Sequence, residues 1–295
     1  MPVSRETRTA LPRPDRTRVF VIANQKGGVG KTTSAVNLAA ALAEGGLRVL
    51  LIDLDPQGNA STALGIDHGA GVAGTYEVVV AGAPLARYVV PSPEAPGLLV
   101  LPATVDLAGA EVELVTMVGR EHRLRESLLA YLVAQPTDYV LIDCPPSLGL
   151  LTVNALVAAT EVLLPIQCEY YALEGVQQLM TTVNLVKANL NAALVVSTVL
   201  LTMYDARTRL SAQVADEVRT HFPSQTLETI IPRSVRISEA PSYGQTVLTY
   251  DPSSVGTRAY RSAAVEIALQ GGLNVGLRHG LDDDTHDTIG PATRP

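Results

Sequence analysis

The chain has no tryptophan, two phenylalanines and only 4% aromatic residues in 295, so its core must be built from Val, Leu, Ile and Ala. With 47% apolar and 17% charged residues it can nonetheless bury a full globular core. Lysine is as scarce as the aromatics: three (Lys26, Lys31, Lys187) stand against nineteen arginines. The two cysteines, Cys144 and Cys168, make neither a C-x-x-C pair nor a disulfide framework and read as small buried side chains in a reducing compartment. The histidines lack metal-ligand spacing. No apolar run is long enough to span a bilayer and no apolar signal core follows the N-terminal arginines, so the expectation is a cytoplasmic protein with no membrane partner. A formal charge of −7 speaks against a bulk nucleic-acid field.

Two of the three lysines fall in one loop, Ala23-Asn24-Gln25-Lys26-Gly27-Gly28-Val29-Gly30-Lys31-Thr32-Thr33. It follows an apolar, β-branched run at 19–23 and opens a helical pattern from Ser34. Strand, glycine-rich turn and helix together form a phosphate cradle: backbone N–H groups from Gly27 to Thr33 close around anionic oxygens, and the helix N-terminus adds partial positive charge. In it Lys31 reaches the β/γ-phosphates and the Thr32 hydroxyl ligates Mg²⁺. The standard G-x-x-x-x-G-K-[ST] spacing is not met, because Gln25 stands where the first glycine belongs. The run is K-G-G-V-G-K-T-T, with an extra lysine, Lys26, ahead of the glycines: the deviant Walker A form.

Two further strand ends carry carboxylates. A buried strand at 48–52 delivers Asp53 and Asp55, and an apolar strand at 139–143 ends in Asp143, the Walker B form. In open α/β sheets ligands sit at such carboxyl ends. Asp53 is assigned to the Mg²⁺ shell, Asp143 to holding Mg²⁺ through water, and Asp55 to orienting or deprotonating the attacking water. The stiff Cys144-Pro145-Pro146-Ser147 loop is placed to sense a γ-phosphate. Further strands are expected at 97–102, 161–167, 194–201 and 227–231. Helices are expected at 33–43, 75–81, 171–190, 211–221 and 255–269, with a helical, one-sidedly charged pattern over 105–134. Tyr170 and Tyr171 are assigned to the core, with a dimer face as the alternative. This alternation predicts a doubly wound, mostly parallel α/β sheet flanked by helices, as one domain over 18–271. A disordered basic arm over 1–17 precedes it and a disordered acidic tail over 272–295 follows.

Over 18–271 the chain resembles the chromosomal ParA (Soj-type) partitioning ATPases of the ParA/MinD superfamily. The resemblance rests on K-G-G-V-G-K-T-T, L-I-D-L-D-P-Q-G-N, L-I-D-C-P-P-S-L-G-L-L-T, Q-C-E-Y-Y-A-L-E-G, L-L-T-M-Y-D-A-R-T and I-P-R-S-V-R-I-S-E-A-P-S-Y-G. It implies an ATP- and Mg²⁺-dependent homodimer in which Lys26 reaches the partner subunit's phosphates and Pro232 and Arg233 line the adenine pocket. It further implies that Arg207 and Arg236 bind double-stranded DNA without sequence preference. A ParB-type centromere-binding protein would stimulate hydrolysis, with the protein at the nucleoid. The charge objection is met locally: residues 201–271 hold seven Arg and seven Asp/Glu, yet Arg207, Arg209, Arg233 and Arg236 come from two short loops, a patch that a dimer would double. The basic amphipathic C-terminal helix of MinD relatives is lacking. Two rivals stay open: a metabolic ATP-dependent ligase of the dethiobiotin-synthetase type, and a ParA-like ATPase that positions other cargo.

Overall fold

Five-residue runs of Val, Leu and Ile with almost no polar interruption make strands that must be covered on both faces, and a parallel sheet between helix layers is the arrangement that covers them. The computed structural model describes residues 10–69, 71–170 and 172–273. In chain order the elements are β1 (Arg18–Ile22), α1 (Lys31–Glu44), β2 (Val49–Asp53), α2 (Asn59–Ala63), α3 (Thr75–Val79), β3 (Val90–Pro91), β4 (Leu98–Leu101), α4 (Leu107–Leu114), α5 (Arg123–Ala134), β5 (Tyr139–Asp143), α6 (Leu150–Ala158), β6 (Glu161–Gln167), α7 (Glu174–Asn189), β7 (Val195–Thr202), α8 (Arg209–His221), α9 (Val235–Glu239), α10 (Val247–Tyr250) and α11 (Val255–Leu273). The seven strands lie in the order β3-β4-β2-β5-β1-β6-β7, all parallel except the short edge strand β3, which runs antiparallel to β4.

Side-chain alternation sorts the central strands into two cores. Val19, Val21, Leu50, Ile52, Val140 and Ile142 face one helix layer. Phe20, Ile22, Val49, Leu51, Tyr139 and Leu141 face the other, against the alanine-rich α1 and against α11. The small residues of α1 (Ala35, Ala39, Ala40, Ala43) let it lie close over the sheet, which brings the loop that precedes it down onto the strand ends.

Four differences from the sequence reading have local causes. No continuous strand forms at 227–231; the segment meets β7 at its two ends, where the Leu227 amide donates to Val199 O and the Ile231 amide to Leu201 O, both at 2.9 Å, with isolated bridges beside them at Thr226 and Pro232. The ladder breaks because the Glu228 and Thr229 amides donate instead to the Glu266 carboxylate on α11, at 2.7 and 3.1 Å. The helical pattern over 105–134 divides into α4 and α5, with Gly119 at φ +65° in the turn between them. Tyr170, assigned to the core, is 66% exposed, while Tyr171 lies outside the described residues. The segment that carries Arg236 is helical (α9) rather than a loop. Of the expected basic arm, residues 1–9 lie outside the described residues, whereas residues 10–17 rest on the body: the Leu11 amide donates to Gly45 O at 2.9 Å and the Thr17 hydroxyl to Thr137 O at 2.7 Å. The acidic tail from residue 274 onward lies outside the described residues.

At the amino end of the sheet the charges are closed off in pairs. The Arg18 guanidinium donates to Glu161 through Nε (2.7 Å) and Nη2 (2.6 Å) and to Ile267 O through Nη1 (2.7 Å), with Phe20 stacked 4.6 Å beneath it. Breaking a buried ion pair by removing one partner strands the other charge and costs about 3–5 kcal/mol. Glu161→Gln should therefore lower the unfolding free energy by about 3 kcal/mol in urea titration, and Arg18→Met with Glu161→Leu should recover most of it. A loss below about 0.5 kcal/mol in the single variant would show that the pair does not hold this end together.

Candidate nucleotide site

The loop after β1 is shaped by two glycines in the left-handed region, Gly28 (φ +75°) and Gly30 (φ +90°), the latter forming the N-cap of α1. A β-carbon built at Gly27 or Gly28 would meet nothing within 4 Å, so the loop is open on the side where an anion would lie. Four hydrogen bonds fix its shape. Asn24 donates to Pro165 O at 2.8 Å and accepts the Lys26 amide at 3.0 Å. Thr202, at the end of β7, donates to Val29 O at 2.8 Å. Lys31 Nζ donates to Lys26 O at 3.3 Å and is 7% exposed, so its amine is already drawn into the loop. Met203, beside Gly30, is the non-glycine residue with positive φ (+52°) among the described residues. Burial lowers the Lys31 pKa, and the neighbouring Asp143 and, less strongly, Asp55 offset part of that. Val29 is buried, and Thr32 and Thr33 open α1 half-buried.

Strand register delivers the carboxylates to this loop. Asp143 pairs with Ile22 on one side and with Asp53 on the other, so the ends of β1, β5 and β2 lie side by side. Both aspartates are fully enclosed, at 0% exposure. Their surroundings differ. Asp53 Oδ2 accepts the Ser61 amide (2.8 Å) and hydroxyl (2.7 Å), and Oδ1 accepts the Asp55 amide at 3.3 Å. Neither oxygen of Asp143 receives a hydrogen bond. Burial, then the neighbouring Asp53 charge, push the Asp143 carboxyl well above its usual range, with the nearby Thr32 hydroxyl and Lys31 pulling it back only in part. Burial likewise raises Asp53, to about 6, against its Ser61 hydrogen bonds. A buried carboxylate with two empty oxygens, beside a threonine hydroxyl, suits a hard cation such as Mg²⁺. Asp53 is largely spent on Ser61, which makes it a supporting group.

Asp55 lies just beyond, 7% exposed, with Oδ1 accepting the Gln57 amide at 3.0 Å. Cys144 and Cys168 are both buried, and burial pushes the thiols up, Cys168 to about 11, so neither is reactive. At the β7 end, Pro232 bridges Tyr204 and the Arg233 amide donates to Tyr204 O at 2.9 Å, which places both residues near Met203 and hence near the loop. The arginines come with acids attached. Arg207 holds Asp205 through Nε (2.9 Å) and Nη2 (2.8 Å), Arg236 contacts Glu239 (3.2 Å) and Asp251 (3.6 Å), and Arg233 pairs with Glu169. Ser61, Asn24 and Thr202 escaped the sequence reading because single hydroxyls and amides far apart in sequence carry no motif. Among the described residues no helix is long and apolar enough to cross a membrane.

Asp53 binds a proton in the folded chain that it releases near pH 4 when unfolded. The unfolding free energy, measured in EDTA without nucleotide, should thus fall as pH rises from about 4 to 6, and Asp53→Asn should reduce this slope, with Asp143 supplying the rest. A wild-type profile that is flat or rising across that window, with Asp53→Asn unchanged, would contradict the assigned burial of charge.

The AAA-domain family profile matches residues 17–196. The sporulation initiation inhibitor protein Soj of Bacillus subtilis is 51% identical over 254 residues, 86% of this chain and 99% of that protein. The chromosome partitioning protein ParA of Caulobacter vibrioides is 53% identical over 250 residues, 85% of this chain and 93% of its own. Among solved structures, the cobyrinic acid a,c-diamide synthase of Mycobacterium smegmatis, with bound ADP and magnesium, superposes with a TM-score of 0.75 at 38% identity, covering 88% of this chain and 96% of that one. With the glycine loop, the two strand-end aspartates and the seven-stranded sheet in the positions described, the chain belongs to the ParA/Soj family of chromosome-partitioning P-loop ATPases.

Proposed function

We propose that this chain is an ATP- and Mg²⁺-dependent partitioning switch: ATP binding builds a homodimer that holds double-stranded DNA without sequence preference, and hydrolysis releases it. One observation carries the reading. At three adjacent strand ends the chain gathers an open glycine loop with a buried lysine, a bare buried carboxylate and a second acid at the rim.

Each residue then has a task. The amides of residues 27–33 and the Lys31 amine hold the phosphates, and Pro232 and Arg233 line the base. Thr32 and Asp143 hold the cation, with Asp53 supporting them. Asp55 orients the attacking water and accepts its proton. When bound, Mg²⁺ neutralises charge that develops on the phosphate oxygens. Lys26, at the mouth of the loop and half-buried, reaches toward the partner subunit's nucleotide. A ParB-type protein is the partner that accelerates turnover, and the nucleoid is where the dimer works.

Arg207 and Arg236 meet DNA phosphate, and their acids shape how. Through its bidentate bond, Arg207 holds Asp205 down to about 2, so this pair stays charged at any physiological pH. Phosphate must displace a carboxylate rather than wait for it to protonate. The DNA affinity is accordingly modest, strongly salt-dependent and set by exchange between anions. The similarity to an amide-forming synthase favours a small-molecule ligase as second reading.

The deciding experiment measures binding to random duplex DNA with ATP, with ADP and with neither, at two salt concentrations. Binding should require ATP and fall steeply with salt; Lys26→Ala and Arg236→Ala should abolish it, and Asp205→Asn should tighten it about two- to fivefold. Asp55→Asn should lower ATP turnover by about 10²- to 10⁴-fold with ATP binding retained. ATP binding without any DNA binding at low salt would remove the partitioning reading and bring the ligase forward.

A further inference from the structure

We propose that Glu111 is a positioning residue: its carboxylate braces the loop that follows Asp143 by resting on Gly149 at the amino end of α6. The proposal rests on the reading of residues 144–147 as the loop that senses the γ-phosphate.

On α4, Leu107, Ala110 and Leu114 face the core while Val112 and Glu113 face water. Glu111 sits at the boundary, where a carboxylate ordinarily turns outward to solvent. Here its Oε1 is enclosed and receives no hydrogen bond. A β-carbon built on Gly149 would lie 2.0 Å from Oε1, 2.7 Å from Cδ and 2.9 Å from Oε2, so the carboxylate occupies the space that any other residue's side chain would take. Gly149 has φ −78° and ψ −169°, a conformation open to every residue. Glycine is needed at this point for room, not for backbone freedom.

The charge has a reason to be there. α6 runs nine residues from Leu150, and its first turn has no side-chain cap. The amides of that turn point out of the helix unpaired, and an anion beside them is stabilised. The loop is thereby gripped from both sides. The Thr152 hydroxyl donates to Ser147 O at 2.7 Å from within α6, and Glu111 presses from α4. Asn154, one turn further along α6, donates to Arg120 O (2.7 Å) and accepts the Leu124 amide (3.2 Å), tying the same helix to the α4–α5 connection. Motion of the loop away from Asp143 must break the Thr152 bond or move Glu111.

Two variants release the brace in different ways. Glu111→Gln keeps the shape and removes the charge. Gly149→Ala keeps the charge and drives the flexible end of Glu111 away. In the full-length protein each should speed hydrogen exchange at the Leu150, Leu151 and Thr152 amides about two- to fivefold. Each should also lower kcat for ATP by a similar factor, with KM unchanged, and the double variant should be no worse than either single one. Unchanged exchange in either variant, effects that multiply in the double, or a change in KM alone would overturn the proposal. Should the wild type fail to hydrolyse ATP, the ATPase reading falls, while the exchange rates still decide the brace.

Discussion

Two carboxylates side by side in a dry strand junction are the constraint on which this molecule turns. Asp53 and Asp143 are register partners on adjacent strands, both fully buried. Like charges at such separation in a poorly solvated site cannot both ionise without a cation close by. The fold resolves half of the difficulty with Ser61, whose amide and hydroxyl satisfy Asp53. It leaves Asp143 bare. Lys31 is near enough to act on Asp143, but the amine is itself raised in energy by burial and is turned to Lys26 O. In the proposed switch a divalent ion bound with the triphosphate would complete the balance, and would give a nucleotide differential affinity for one arrangement of the loop.

The two ends of the sheet thus follow opposite rules. At the amino end Arg18 and Glu161 saturate one another, and Asp138 accepts the Arg48 amide and guanidinium. At the carboxyl end charge is collected and left open. The same β-branched strands build both, since burial on two faces forces polar groups to the strand ends. Stability belongs to the closed end and chemistry to the open one. Even the surface arginines proposed for DNA obey a version of this rule, because each lies against a carboxylate that an incoming phosphate must replace.

Much of this was legible before any coordinates. The glycine run, the strand-end aspartates and their place on a parallel sheet follow from local patterns: apolar runs of four or five, an aspartate closing two of them, a helical period behind the loop. What stayed hidden depends on distance in sequence. Ser61 reaches Asp53 from the middle of a five-residue helix too short to show a period. Thr202 closes on Val29 across 173 residues. The strand expected at 227–231 had the right composition, yet Glu266 captures two of its amides, a competition no local pattern reveals. Glu111 looked like one more charge on a solvated helix face, and only the space above Gly149 marks it out.

In the proposed switch Asp143 is a buried carboxyl left without hydrogen bonds so that a cation can take it up as a charge, and thermal unfolding of Asp143→Asn against the wild type, with and without Mg²⁺ and ATP, decides this. Removing the charge should raise the midpoint in EDTA while abolishing the further rise that Mg²⁺ with ATP gives the wild type. A variant that is destabilised in EDTA yet still gains as much as the wild type from Mg²⁺ and ATP would contradict the account.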